Sequence, residues 1–343
     1  NLLQNNLREP NRRIEEGDRF GYDFNLIRRR IEGFVALGWR KDKMAFDIEG
    51  SFVGETLWRR GRYEKELFPE AGSFGRSRKV ALTPYRIGAE WSYEALSHTL
   101  AVRLSLRGVS PDVNDLYLQP NYNNRVVKSP ELSHHLLASV AYGYASPKVR
   151  LGVTAFLFSA TRLMSVVRYF DDLTRTYADA VVRGAGYLNI GLAVDADVAW
   201  SKYFSSQFSL TAGSYRHSRN PEVEVFSDVD NHLIARGQSA MRGVRGKTPQ
   251  LTAYGDIEFS RGGWSAKLGV KYWGFRYIEA SPIRRMVRFS QLDISPEERE
   301  QLLSQERLPD ALSADISLSK NLYLGENRLI VEVAVRNLLG TDY

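Results

Sequence analysis

The 343-residue chain carries 47 Lys+Arg against 40 Asp+Glu, a net charge of +7, and has no cysteine. That excludes disulfides, thiolate metal sites and cysteine nucleophiles, and the basic residues are scattered, the densest run being Arg28 to Arg30, so nothing marks a nucleic-acid footprint. No apolar run reaches the roughly 18 residues of a membrane helix, while 18 Tyr, 16 Phe and 6 Trp suit a protein with two membrane interfaces.

Residues 1 to 30 are mostly polar and read as a loop leading into the strand "IEGFVALGWR". The turn Lys41 to Lys43 joins it to "MAFDIEGSFVGETLW", and the polar stretch Arg59 to Arg78 follows as a loop. "PYRIGAEWSY" alternates Tyr85, Ile87, Ala89, Trp91 and Tyr93 with Arg86, Gly88, Glu90 and Ser92. It turns at "EALS" into "HTLAVRLSLRGVSP", where Leu100, Val102, Leu104 and Leu106 oppose Ala101, Arg103, Ser105 and Arg107. Successive strand side chains point to opposite faces, so this is a ribbon with one aliphatic and one hydrated side.

The unit then repeats. A loop from Pro111 to Lys128 precedes "LLASVAYGYA", a turn at Pro147 and "VRLGVTAFLF"; a loop from Met164 to Val182 precedes "YLNIGLAVDADVAW", a turn at "SKYFSS" and "QFSLTAGSY". A loop from Arg219 to Lys247 leads to "QLTAYGDIEF", "SRGG" and "WSAKLGVKYW". A last loop, Ser281 to Pro309, leads to "SADISLSK", the turn Gly325 to Asn327 and "RLIVEVAVRN". The short turns centre near 42, 97, 147, 204, 262 and 326, and each interval holds a strand, a long loop and a strand. Twelve strands result, with every short turn at one end and every long loop at the other. Propeller blades need four short strands per repeat, and sandwiches need turns every 8 to 12 residues. Long alternating strands with unequal rims are the pattern of an antiparallel transmembrane β-barrel of the outer-membrane type. In that reading Leu100, Val102, Leu104 and Leu106 face lipid, and Arg103 and Arg107 face the lumen.

Three stretches carry a family resemblance: "VSPDVNDLYLQPNYNN" (Val109 to Asn124), "SPELSHHLLASVAYGY" (Ser129 to Tyr144) and "VAVRNLLGTDY" (Val333 to Tyr343). In this order they resemble strand and loop segments of TonB-dependent outer-membrane receptors, with the flavour of those from Bacteroidetes. The family usually opens the second stretch with Asn-Pro-x-Leu-x-Pro-Glu, of which only Ser129, Pro130, Glu131 and Leu132 stand here. The resemblance implies that residues 1–343 are a portion of a 22-stranded barrel domain, with the plug and the last strand absent, located in the bacterial cell outer membrane. It implies energised uptake of an external small ligand, glycan or peptide (an iron chelate and a cobalamin included), with outer-membrane lipid and the TonB complex, reached through the plug, as partners. A passive porin-like channel and a soluble all-β binding protein are the alternatives.

No catalytic constellation or cofactor motif emerges, and a non-enzyme is expected. The five histidines form no spaced ligand set, and His134 and His135 fall on opposite faces of a strand. Asp171, Asp172, Asp228 and Asp230 lie in expected external loops without the glycine-containing oxygen series of a calcium loop. The candidate substrate-binding residues are Tyr117, Tyr122, Asn123, Asn124 and Tyr169 in the loops, and Arg103 and Arg107 on the inner wall.

Overall fold

The computed structural model describes residues 6–171, 174–286, 295–325 and 327–341. The chain forms β1 (Phe24–Lys41), β2 (Met44–Gly61), β3 (Gly75–Arg76), β4 (Val80–Leu82), β5 (Tyr85–Ala95), β6 (His98–Val109), β7 (Ser133–Ala145), β8 (Val149–Asp171) and β9 (Thr176–Ala199). It continues with β10 (Phe204–His217), β11 (Glu222–Ser227), β12 (Leu233–Gln238), β13 (Leu251–Arg261), β14 (Trp264–Gly274), β15 (Arg276–Tyr277), β16 (Arg307–Leu308), β17 (Ala311–Leu324) and β18 (Asn327–Val335). One short helix, α1 (Pro296–Leu303), starts in a capping box, Ser295 accepting from the Glu298 N–H while Glu298 accepts from that of Ser295. This reciprocal arrangement satisfies two backbone donors that a helix start leaves open.

Twelve long strands pair in sequence order, β1-β2-β5-β6-β7-β8-β9-β10-β13-β14-β17-β18, every pair antiparallel. An antiparallel meander in chain order places alternate connections at opposite ends. The short turns therefore share one rim, and the four long connections together with the far end of the β8–β9 hairpin share the other. The sheet is not a closed barrel among the described residues, since β1 and β18 are its free edges.

Register separates the two faces. Trp91 stands opposite Val102, Val102 opposite Val140, and Val140 opposite Ala155, an apolar row across four strands. On the reverse, Asp47, Glu90, Arg103 and Ser139 face one another in succession. Leu104 is 47% exposed and Phe208 49% exposed, so the wall's apolar side is turned outward rather than onto a core. The polar side pairs its charges: Arg40 with Asp47 at 2.8 Å, Arg103 with Glu90 at 2.9 Å, Lys267 with Asp256 at 3.0 Å, Lys271 with Asp315 at 2.7 Å, and Arg86 with Glu49. That side is not polar throughout. Phe156 stacks on Tyr215, centroids 6.4 Å apart, and Gly191 makes room for it, because a Cβ there would lie 2.6 Å from the Phe156 ring.

Five expected loops are partly strand: Arg59 to Arg78 holds the end of β2 and β3, Ser281 to Pro309 holds β16, and the other three go further. β1 begins at Phe24, inside the stretch read as a loop through residue 30, and there pairs with the far end of β2. The expected loop Met164 to Val182 continues β8 and β9 as a long hairpin arm. Arg219 to Lys247 contains β11 and β12, and β11 adds to that arm by pairing with β9. Alternation fails as a signal here because the arm is covered on both faces, so apolar residues occupy both parities. A double irregularity, with Arg162 at φ 57° and Gly184 at φ 71°, marks the passage from wall to arm. Asp172, Glu326, Asp342 and Tyr343, each named in an expected turn, loop or motif, lie outside the described residues.

The β13–β14 turn uses Gly262 and Gly263, both at positive φ, and a Cβ on Gly263 would meet the Asn321 carbonyl oxygen at 3.0 Å. Gly263→Val therefore costs about 1–2 kcal/mol for the left-handed backbone alone, whereas Gly262→Asn, a residue that tolerates this conformation, costs less. Urea midpoints of the two variants in detergent check this; equal midpoints would show that the turn is not under the stated constraint.

Candidate functional site

The long connections fold against each other above the wall. Leu57 on β2 and Val80 on β4 are covered by Leu116 and Tyr117, brought over by the turn Asn114–Leu116. Val181 on β9 and Phe226 on β11 pack with Leu118 and Val127 of the same connection. The other face of the arm, Ala178, Ala180, Val182, Val223 and Val225, is covered by Ile283 and Met286. These three clusters form the packed interior that the wall itself lacks.

Arg59, only 1% exposed, ties the connection after β6 to β2. It donates to the Pro120 carbonyl at 2.6 Å, the Ser73 carbonyl at 2.8 Å and Asn124 Oδ1 at 2.6 Å. Desolvation lowers its pKa to about 10, which keeps the guanidinium charged at neutral pH.

The expected loop residues take mostly structural positions. Tyr117 is fully buried, its hydroxyl sharing a hydrogen bond of 2.9 Å with Ser77; it packs in the cluster with Leu57 and also lines the smaller of the two clefts described below. Asn124 donates to the Ala71 and Phe74 carbonyls, and Asn123 donates to Gln119 and accepts from the Arg125 N–H. Both are buried, and their amides serve the chain itself. Tyr169 packs against the cluster under Met286. Tyr122 is exposed and meets Tyr22 edge-on at 6.5 Å. Arg103 and Arg107 lie on the wall; Arg103 is held by Glu90, and Arg107 reaches Ser105 at 3.4 Å. The seven do not converge on one site.

Two clefts open where the connection after β6 meets the arm. One, of about 220 Å³, is lined by Asn114, Asp115, Gln119, Tyr122, Arg168 and Asp179. Gln119 donates to Asp179 at 2.7 Å and to the Asp228 carbonyl at 2.7 Å, while Arg168 pairs with Asp228 at 2.8 Å. Burial raises the pKa of Asp179, and of Asp115, which accepts from the Val166 N–H. The second cleft, of about 450 Å³, is lined by Arg78, Arg125, Lys128, Arg183, Glu224 and Phe226 with apolar neighbours. Sequence reasoning missed Arg168 and Asp179 because they fall in the expected loop Met164 to Val182, and Arg183 because it falls at that loop's end. Arg125 and Lys128 carried a local signal, two cations flanking the pair Val126-Val127.

No family model and no curated protein matches the chain. Solved structures do. The copper transporter OprC aligns with 93% of this chain and 43% of its own, at TM-score 0.60 and 11% identity. The siderophore receptor PiuA from Acinetobacter baumannii aligns over 92% and 40%, at 0.60 and 8%. The outer membrane transporter YddB from Escherichia coli aligns over 92% and 50%, at 0.54 and 8%. The chain thus spans about half the length of these proteins or less. What is shared is the fold, an all-antiparallel sheet of the kind that outer-membrane transporters and receptors use.

Arg59→Leu removes three hydrogen bonds at once and leaves buried carbonyl groups unpaired, each at a cost of about 1–3 kcal/mol. It should release residues 111–128 to limited proteolysis while the wall stays resistant; an unchanged digestion pattern would show that Arg59 does not hold this connection.

A carboxyl whose folded pKa exceeds its unfolded value binds protons better when folded, so its contribution worsens as pH rises through the two values. Asp179→Asn keeps an acceptor for Gln119 and removes that penalty. Protease resistance of the arm at pH 7 should be equal or higher in the variant; a clear fall would mean that the charge, through Arg168, outweighs its desolvation.

Proposed function

We propose that the chain is part of the wall and outer loops of a TonB-dependent outer-membrane receptor that captures an external ligand at its crown and imports it with energy delivered through TonB. The observation that carries the reading is the combination of an unfilled, outward apolar wall with long connections folded into clefts at one rim. Water would disfavour the wall: fully burying a side chain such as Leu104, Val102 or Phe208 in an apolar medium is worth about 1.5–3 kcal/mol. Lipid supplies that medium. The fold shared with a copper transporter and a siderophore receptor supports the transport reading, and the resemblance of Val109 to Asn124 and Val333 to Tyr343 to receptor segments, with a Bacteroidetes flavour, supports the family.

The two free edges support a further part of the reading, that the described strands belong to a larger barrel of 22 with a plug inside it. Closure needs matched strands all the way around, and an uncovered edge invites pairing with other chains. The expressed 343-residue chain alone is then an open sheet rather than a stable closed pore.

The test uses neighbours on β6 that point opposite ways. Leu104 stands between Ala89 and Ala138 on the apolar face, and Arg103 between Glu90 and Ser139 on the polar one. In the full-length protein Leu104→Arg should cost about 2–4 kcal/mol of assembly, the penalty of a midplane arginine on the lipid side. Arg103→Leu should leave the folded, heat-modifiable fraction in outer membranes close to wild type. Equal assembly of the two variants, or poorer assembly of Arg103→Leu, would remove the membrane assignment of these faces.

A further inference from the structure

The charges of the crown are unevenly matched. Around the arm Arg168 has Asp228 at 2.8 Å and Arg236 has Glu222 at 2.7 Å, and on the β1–β2 pair Arg28 has Glu55. The larger cleft departs from this. Arg78, Arg125, Lys128 and Arg183 line it together with one carboxylate, Glu224. Glu224 lies 3.4 Å from Arg183 and is shared with Arg236 at 3.7 Å. Arg78 and Lys128 have no carboxylate partner among the described residues. Arg125 reaches the Asn231 carbonyl at 2.5 Å and lies over the Phe226 ring, 5.3 Å from its centroid, which holds the guanidinium beside the cleft without neutralising it.

A second feature is independent of this count. Among the described residues the Nε of Arg183 is buried without a hydrogen-bond partner. Buried donors are normally satisfied by protein, water or a bound group, so this Nε is a donor that the protein itself leaves open. The floor is a third. Leu118, Val127, Val181 and Phe226 form one apolar cluster beneath the cations, and a strongly hydrated inorganic anion gains nothing from it.

We infer that this cleft binds a small amphipathic anion, a carboxylate- or phosphate-bearing molecule whose charged end meets Arg78, Arg125, Lys128 and Arg183 and whose apolar body lies on Leu118, Val127, Val181 and Phe226. The inference rests on the receptor reading and names the class of ligand that the crown takes. Guanidinium groups are suited to it, since their planar donors engage both oxygens of a carboxylate or phosphate. Like charges gathered in a concave, partly apolar site also raise the local concentration of an anion.

Phenyl phosphate is the probe, with inorganic phosphate and phenol as its two halves, titrated by calorimetry into the full-length protein in a non-ionic detergent. Phenyl phosphate should bind saturably at one site, at least tenfold more tightly than either half, and more weakly as salt rises. Arg125→Gln with Lys128→Gln should weaken it at least tenfold, and Arg40→Gln, on the opposite rim, should not. If the double variant fails to fold, Lys128→Gln alone, on an exposed side chain, should weaken binding about threefold. Absence of saturable binding, equal binding by the double variant or by Lys128→Gln, or equal affinity for phenol would overturn the site. Equal affinity for inorganic phosphate would overturn the role given to the apolar floor. Heat-modifiable assembly in outer membranes is measured on the same samples: its loss in the wild-type protein defeats the receptor reading, whereas lost binding with assembly intact defeats only this cleft.

Discussion

Lateral backbone hydrogen bonding is the constraint on which the rest depends. Each wall strand between β1 and β18 satisfies its N–H and C=O groups on two neighbours, and among the described residues no layer stands behind the sheet to compensate for a missing ladder. The apolar side chains of this region, Leu104, Val140, Leu192 and Phe208 among them, point away from the chain. Buried apolar residues occur mainly above the wall, where β2, β4, β9 and β11 meet the connections. Two kinds of stabilisation are thus divided in space: ladder bonds with an exposed apolar face below, and close side-chain packing above.

This division explains what could be read from the sequence. Below, one face is apolar and one polar, so period two is explicit: Leu100, Val102, Leu104 and Leu106 against Arg103 and Arg107 place β6 and its faces without tertiary knowledge. All twelve wall strands, their order and the rim of each turn follow from that pattern and from turn chemistry such as Gly262-Gly263. Above, both faces of the arm are covered, so "AVV" from Ala180 to Val182 carries no alternation, although Ala180 and Val182 look toward Met286 and Val181 toward Leu118. The strands there were read as loops for that reason.

The candidate site was less legible than the fold. Tyr117 and Asn124 look like surface recognition residues in a linear chain, yet the first fills the core around Leu57 and the second binds the Ala71 and Phe74 carbonyls. Their role depends on residues some fifty positions away that the connection happens to meet. The lining of the large cleft has the same character. Arg78, Arg125, Arg183 and Glu224 come from four separate stretches, and no local spacing announces their convergence.

The distribution of charge follows the same division and gives it functional meaning. On the wall, neutralisation is a consequence of register: Glu90 stands opposite Arg103, and Lys267 and Lys271 each reach a carboxylate on a neighbouring strand. Changing one such pair disturbs a polar surface that every neighbouring strand shares. In the crown, no register dictates which charges meet, because the partners arrive from different connections. Uncompensated cations can therefore collect over Phe226 and Val181 without weakening the ladder beneath them, since the packing that holds the crown, Arg59 on Pro120 and Asn124 and Leu116 on Leu57, is supplied elsewhere. A sheet built in this way keeps its wall whatever residues its upper connections bring together, and this chain shares its fold at 11% and 8% identity with a copper transporter and a siderophore receptor.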